Sequence, residues 1–421
     1  MAPDLTPEME ELNKRRVERQ FRRRQMVAQK RQKQTLSMIG ITLLLIAIGA
    51  GIFFLLRAGE SAEPEVQEYV THADTVAAEG DTVIHLVAAG DLNITDALVD
   101  SGGEEQDYTN TFLDIAYLLA EGDYTVLNFE GNLCGAPYGG ISHSAPQSLA
   151  ETLARNGVDA VQLANSYAIN HGISGLQATI QSVKDAGMEP LGVYADEQAY
   201  KAGKGFTVVD VAGIEIAFVA FTKGMDGMTL PQGSEHCVNV LYSDYDSTYQ
   251  DLDTETIYRV LDAVEEENPD LIVAMLHWGS EFNDTVSESQ EDIVYLLQER
   301  GVDAIIGTHP HYVQQMTYNP ETGQFVAYSL GDLISDGERA GTEYSVILNL
   351  EITKSGRNTK ITGSTYTPIF TVAERGNPLR SVRIAEAMSA YDSNYVKRVK
   401  EATYDDMAYA LTRVEERIRG E

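Results

Sequence analysis

The sequence predicts a mixed α/β layered sandwich preceded by one N-terminal transmembrane helix. Three observations predict it. An uncharged run occupies residues 35–56; apolar strands alternate with amphipathic helices from residue 82 onward; and the later apolar segments follow one another without helices between them. The 421 residues and 43% hydrophobic content suit one large domain or two ordinary ones with a sizeable core.

The run "TLSMIGITLLLIAIGAGIFFLL" at residues 35–56 is long enough, at about 1.5 Å per residue, to cross a hydrocarbon core of about 30 Å. Ten Lys and Arg against five acids precede it, so the positive-inside rule places residues 1–34 in the cytoplasm and the rest outside the cell membrane. The small residues of "AGESA" leave a cleaved signal peptide as the alternative, but the long lead and long apolar run favour an uncleaved signal anchor. The formal charge of -33 is uneven: residues after 34 carry 21 bases and 59 acids, a net -38. That excess argues against nucleic acid or anionic lipid as a partner of the outer part and favours divalent cations. The basic lead could meet anionic lipid or a synthase subunit, although orienting the anchor is a sufficient reason for it.

Residues 57–81 are acidic, lack periodicity over most of their length and read as a stalk. Strands are expected at 82–91, 124–131 and 158–165, with helices near 109–121, 147–156 and 174–186. A hairpin is expected over 206–222, then helix "TIYRVLDAVEEEN", strand "DLIVAMLHWG", helix "SQEDIVYLLQERG" and strand "VDAIIGTHPH". Segments 325–332, 343–353 and 360–372 read as antiparallel additions that close a domain at 82–372. Residues 373–421 form a C-terminal segment, helical over 381–419.

In a parallel sheet the functional groups gather at the C-terminal strand ends. There stand Asp91 in "AAGD", Asn128 and Glu130 in "NFEGN", Asn165 in "LANS", His277 in "LHWG", and His309 and His311 in "THPH". Each alone has a structural explanation: Asp91 as a helix cap, Glu130 as a solvated acid, His277 as a core histidine beside Trp278. Jointly they sit on one rim, and mixed carboxylate and imidazole ligands suit Mn, Fe or Zn better than Ca.

Six blocks in order, "AAGDLNI", "LNFEGNL", "VQLANSYAINHGISGL", "LHWGSEF", "IIGTHPHYVQ" and "AYSLGDLISD", resemble the CapA-type poly-gamma-glutamate capsule biosynthesis proteins, a family with a calcineurin-like metallophosphoesterase fold. The resemblance covers about residues 83–336. It implies a four-layer α/β/β/α sandwich on the outer surface, a one- or two-metal centre, and an anionic capsule-type polymer or capsule synthase components as partners. Asp91, Glu130, His277, His309 and His311 match metal-ligand positions of the family pattern.

The loop "ANSYAINHG" departs from that pattern. The family usually reads Ala-Asn-Asn-His-Ala-Leu-Asp, so a ligand amide and a catalytic imidazole are replaced by Ser166 and Tyr167, while Asn165 is retained and the following acid is Asn170. Serine is a poorer ligand than an amide carbonyl, and tyrosine a weaker proton donor than histidine near neutral pH. His171, four residues after Tyr167, would face the same way on a helix and could supply the missing imidazole; a helix-start histidine without a chemical role is the plainer reading. Asp332 stands where the family commonly has Asn and adds a carboxylate. Two functions therefore remain open: a metal-dependent hydrolase or transferase, and a non-catalytic polymer- or partner-binding component with a degenerate metal site. Cys134 and Cys237 lie outside the membrane, where either a disulfide or two buried thiols is allowed; both fall on the active rim, so a bond would staple two loops there.

Overall fold

The computed structural model describes residues 69–71, 80–374, 376–392 and 399–421, all within the compact unit Gln67–Glu421. The basic lead, the expected span at 35–56 and most of the expected stalk lie outside the described residues. Among the described residues no helix is long and apolar enough to cross a membrane.

One sheet contains β1 (Tyr69–Thr71), β2 (Thr82–Asn93), β3 (Tyr124–Glu130), β4 (Ala160–Gln162), β5 (Glu189–Leu191), β12 (Asp332–Ile334), β13 (Tyr344–Ser355), β14 (Asn358–Val372) and β15 (Arg380–Arg383). Its order is β1-β14-β13-β2-β3-β4-β5, with β12 beside β2 and β15 beside β14. The second contains β6 (Thr207–Val211), β7 (Ile214–Thr222), β8 (Leu271–His277), β9 (Ala304–Thr308), β10 (Met316–Asn319) and β11 (Gln324–Ala327), in the order β10-β11-β9-β8-β7-β6. β2 to β5 run parallel, as do β7, β8, β9 and β11, which brings their C-terminal ends to shared edges.

Three cores define four layers. Leu86, Ala88 and Val126 of the first sheet pack against Phe218, Val273 and Ile306 of the second. On the outer face of the first sheet, Val87, Leu127 and Phe129 meet Leu98 of α1 (Asp96–Ser101), Phe112 of α2 (Thr109–Phe112), Leu119 of α3 (Ala116–Ala120), Leu153 of α4 (Gln147–Arg155) and Ile180 of α5 (Gly172–Asp185). A short helix, α6 (Glu197–Gly203), follows β5 and buries none of its residues. The second sheet's outer face, with Val219, Ala274 and Ile305, is covered by α7 (Thr254–Glu267) through Val260 and by α8 (Glu288–Glu299) through Leu297. The layering is thus α/β/β/α. At the chain's end α9 (Ile384–Asp392) and α10 (Glu401–Arg419) join the inter-sheet core through Ala387, Met407 and Val414.

β2 is apolar on both faces, Leu86 and Ala88 inward, Val87 and Ala89 outward, so hydrophobic pattern alone does not fix its register. Four aspartates that immediately precede strands do. The carboxylates of Asp123, Asp159, Asp270 and Asp303 accept from the backbone N–H of His85, Thr125, Glu215 and Ile272 at 2.8, 2.8, 2.9 and 2.8 Å. Each aspartate's own N–H donates back to the carbonyl of that same residue. A one-residue slip would break both bonds of every latch.

Four sequence expectations are corrected. Segment 325–332, expected as an antiparallel addition, supplies β11, which is antiparallel to β10 but parallel to β9. Tyr69–Thr71, within the expected stalk, is an edge strand paired antiparallel with β14. The expected helix at 109–121 is two short helices, α2 and α3. The C-terminal helical segment begins as strand β15, because Arg380–Arg383 finds a free edge on β14. The hairpin is as expected: β6 and β7 are joined through Ala212 and Gly213, both at positive φ.

Candidate metal centre

The two sheets meet at their C-terminal edges, and the ligand-type side chains gather there. Asp91 lies near the end of β2, Glu130 and His277 close β3 and β8, and His309 follows β9. In the first sheet Asp332, Asp91 and Asn128 form one row across β12, β2 and β3. That row requires close backbone approach: Asp91 N–H donates to Gly331 O at 2.9 Å, and a Cβ on Gly90 would lie 1.8 Å from the same oxygen. Only glycine fits at position 90.

From the second sheet, "HPH" delivers two imidazoles through a kinked backbone. His309 and His311 have φ of 90° and 57°, conformations that non-glycine residues rarely adopt. The kink is held because His309 N–H donates to Asp91 Oδ2 at 2.9 Å and Phe282 N–H donates to Pro310 O at 2.9 Å. Such strain, of order 1–3 kcal/mol per residue, persists where surrounding contacts over-determine it, and it clusters at functional sites.

Three triads result, Asp91–Glu130–His277, Asp91–His311–Asp332 and Glu130–His309–His311, each with its ligand atoms within 4.8 Å of one another. All six residues are buried. Glu130 Oε1 lies 3.2 Å from His277 Nε2, whereas Glu130 Oε2 is buried with no hydrogen-bond partner. An orphaned carboxylate oxygen is costly, and a cation satisfies it. The residues therefore fit a divalent metal: the carboxylates, Asp91 and Glu130, are each shared between two triads.

The electrostatics agree. Burial, then the neighbouring Glu130, pushes Asp91 up to about 7, and burial pushes Asp332 up to about 6. Burial works most strongly against charge on Glu130, but His277, His311 and the Ser166 hydroxyl together outweigh it and hold Glu130 below the usual glutamate value. Burial and His277 hold His309 well below an ordinary histidine, so it is a neutral donor; burial opposes charge on His311, yet Asp332 raises it well above.

Asn128 holds two of the ligand-type side chains: its Nδ2 donates to Asp91 Oδ1 at 2.6 Å and lies 3.3 Å from His277 Nδ1. Asn165 in turn donates to Asn128 Oδ1 (3.2 Å) and Phe129 O (2.7 Å), while its own Oδ1 accepts from Tyr167 N–H (3.1 Å). The structure thus places Asn165 in the scaffold behind the ligands. Ser166 is beside them: its Oγ lies 2.9 Å from His277 Nε2 and 3.5 Å from His309 Nδ1.

Tyr167 lines a cleft of about 600 Å³ that opens onto His311 and Asp332. His171 does not line it: Nε2 is bonded to Ser142 O at 2.6 Å, because position 171 is the N-cap of α5 and turns toward the loop before α4. Of the two readings of His171, this position is that of the helix-start histidine and not of an imidazole among the ligand-type groups. Sequence reasoning missed His143, which shares the cleft and stacks on Tyr167; no periodicity marks its loop. Of the two states left open for the cysteines, the structure has the free thiols. Both cysteines are free: Cys134 Sγ contacts Ser144 Oγ at 3.6 Å, and Cys237 is buried in the core behind the first sheet.

Fold and site together define a two-sheet α/β protein with a buried carboxylate and imidazole cluster compatible with a divalent metal. The chain belongs to the family described as Bacterial capsule synthesis protein PGA_cap, whose profile matches residues 85–337, more than half of its length. It is similar to "Capsule biosynthesis protein CapA" of Bacillus anthracis, 25% identical over 219 residues, 51% of this chain and 49% of the relative. It is also similar to "PGA biosynthesis protein CapA" of Bacillus subtilis (strain 168), 22% identical over 317 residues, 72% of this chain and 74% of the relative. The chain thus spans about half the length of the first relative and about three quarters of the second. Among solved structures, the calcineurin-like phosphoesterase YfkN from Bacillus subtilis is similar with 15% identity and a TM-score of 0.43, covering 79% of this chain and 99% of that one.

Proposed function

We propose that the chain is a membrane-anchored, extracytoplasmic component of poly-gamma-glutamate or related capsule-polymer biosynthesis, acting as a metal-dependent hydrolase or transferase. Family membership supports the capsule assignment. The uncharged run at 35–56 and its basic N-terminal flank support the anchor and its orientation. The observation that carries the metal-dependent part is the convergence of three triads, two of them sharing Glu130, one of whose oxygens is buried without a partner.

Asp91, Glu130, His277, His309, His311 and Asp332 would hold one or two divalent cations, of Mn, Fe or Zn type for this donor set. When bound, the metal supplies Lewis-acid charge and a nucleophilic oxygen at neutral pH. The chain's own groups do the rest. Asn128 orients Asp91 and His277, Asp91 fixes the His309 backbone, and the paired sheets exclude water behind the cluster. The cleft would take a phosphoester, or an amide or ester of a polyglutamate-like polymer. Its rim bears Glu281, Asp336 and Glu338 against Arg339, whose guanidinium lies 3.7 Å over Phe282, so a polyanion approaches there only with cations bound.

A non-catalytic polymer- or partner-binding role is favoured by one observation: the Ser166 hydroxyl is already held by His277. Elemental analysis of the full chain, purified in detergent, beside a His309→Ala/His311→Ala variant, separates the readings. One or two equivalents of transition metal, lost in the variant, with turnover of phosphoester or polyglutamate, supports the enzyme. Bound metal without turnover supports the binding role, and no metal after reconstitution sinks both metal readings.

A further inference from the structure

The departures at Tyr167 and Asn170 and the neighbouring His171 share one structural result: all three hold a single loop. Asn170 Nδ2 and His171 Nε2 both bond Ser142 O, at 2.9 and 2.6 Å. Asn132 N–H donates to His143 O at 2.6 Å, and Asn132 Nδ2 donates to Tyr167 O at 2.9 Å. Between these anchors His143 adopts a φ of 48°, a left-handed conformation uncommon for histidine. Its ring lies flat on Tyr167, centroids 3.6 Å apart and planes within 11°. Among the described residues neither ring nitrogen of His143 has a hydrogen-bond partner, yet the residue lines the cleft with His311 and Asp332. An imidazole fixed by stacking and backbone, in the wall of a cleft beside a metal-type cluster and with no hydrogen bond holding its nitrogens, is poised to move a proton.

We propose that His143 is the proton-transfer residue of this cleft, with Tyr167 as its stacking platform and Asn170 and His171 as positioning residues. The proposal rests on the hydrolase or transferase reading. Neutral His143 takes the proton of an attacking water or acceptor hydroxyl while that oxygen bonds to the substrate's phosphorus or carbonyl carbon. It returns the proton to the leaving oxygen or nitrogen as the old bond breaks, so one bond forms, one breaks and no redox partner is needed. Burial lowers the His143 pKa and His171 assists, while Glu130 of β3 and Asp226 of the loop after β7 oppose them; Glu281 adds its charge beside Tyr167.

Two readouts test the proposal in the full chain. In metal-free protein, diethylpyrocarbonate labelling mapped by mass spectrometry should modify His143 at least about tenfold faster than His171, whose Nε2 is occupied. Equal or reversed rates overturn the geometry. In Mn(II)-loaded protein, bis(p-nitrophenyl) phosphate hydrolysis should lose about 10²-fold or more in kcat with His143→Gln, at unchanged KM and metal content, and lose the acidic limb of its pH profile. His171→Ala should give a smaller loss with that limb shifted, and His171→Gln, which can still donate to Ser142 O, should restore most of it. Unchanged kcat and pH profile in His143→Gln, or a metal-loaded wild type without turnover, overturns the role. Failure of the wild type to take up Mn(II), seen by dialysis, removes the metal reading and the role with it. The labelling rates still report whether His143 is open, so the two failures are told apart.

Discussion

Asp332 and His311 are locked together: Asp332 Oδ1 lies 2.9 Å from His311 Nδ1, and Asp332 stands in parallel register with Asp91 on the neighbouring strand. The pair ties the second sheet's last imidazole to the first sheet's edge, and it needs the short bridge strand β12 to do so. Asn93 adds a contact of 3.3 Å to the same nitrogen.

Replacing Asp332 with Asn keeps the shape and removes the charge. Mn(II) affinity, measured by calorimetry, should fall about 10–100-fold, while the fold's circular dichroism is unchanged. An unaltered affinity would place Asp332 outside the metal's reach.

Metal uptake should release protons. His311 is held charged beside Asp332, and Asp91 and Asp332 titrate near 7 and 6, so each must lose its proton to serve as a ligand. Lowering pH from 8 to 6 therefore weakens binding, by about tenfold per pH unit for each proton displaced. A flat pH dependence of the dissociation constant would contradict this.

Saturating metal should raise the thermal midpoint of the wild type, by an amount corresponding to about 2.7 kcal/mol at 100-fold excess over Kd. Glu130→Gln loses the shared carboxylate and should show little of that rise in the same calorimetric scan. A full rise would remove Glu130 from the ligand set.

Gly90→Ala puts a Cβ against Gly331 O, 1.8 Å away, and forces β2 and the loop before β12 apart. About 3 kcal/mol or more of stability should be lost in urea, with weaker metal binding because Asp91 and Asp332 separate. Wild-type stability in this variant would mean that the two segments part freely.

Asp303 tests the strand latches. Burial raises its carboxyl from 3.8 to about 6, although Ile272 N–H favours the charged form. The folded state holds that proton longer than the unfolded one, so stability attributable to Asp303 falls as pH rises from about 4 to 6. Asp303→Asn, which can still accept from Ile272, should therefore gain on the wild type by about 2 kcal/mol across that window. Parallel urea titrations at both pH values measure it.

Much of this was legible in the chain. Asp91, Glu130, His277, His309 and His311 were found because parallel strands must deliver their ends to one edge, and that follows from alternation alone. The latches were not read there: an aspartate stands one residue before each of β3, β4, β8 and β9, but only the fold shows which backbone groups it binds. Nor was His143, because its position depends on three contacts from a segment more than twenty residues away. The state of the two cysteines stayed open in the sequence because a shared rim says nothing about which way a thiol points.

The latches sit where the parallel strands begin, and the ligands sit where they finish. A lineage can therefore rebuild, swap or abandon its chemistry in the rim loops without re-threading the sheets. Here the departures at Ser166 and Tyr167 lie in such a rim loop, at the opposite strand ends from the aspartates.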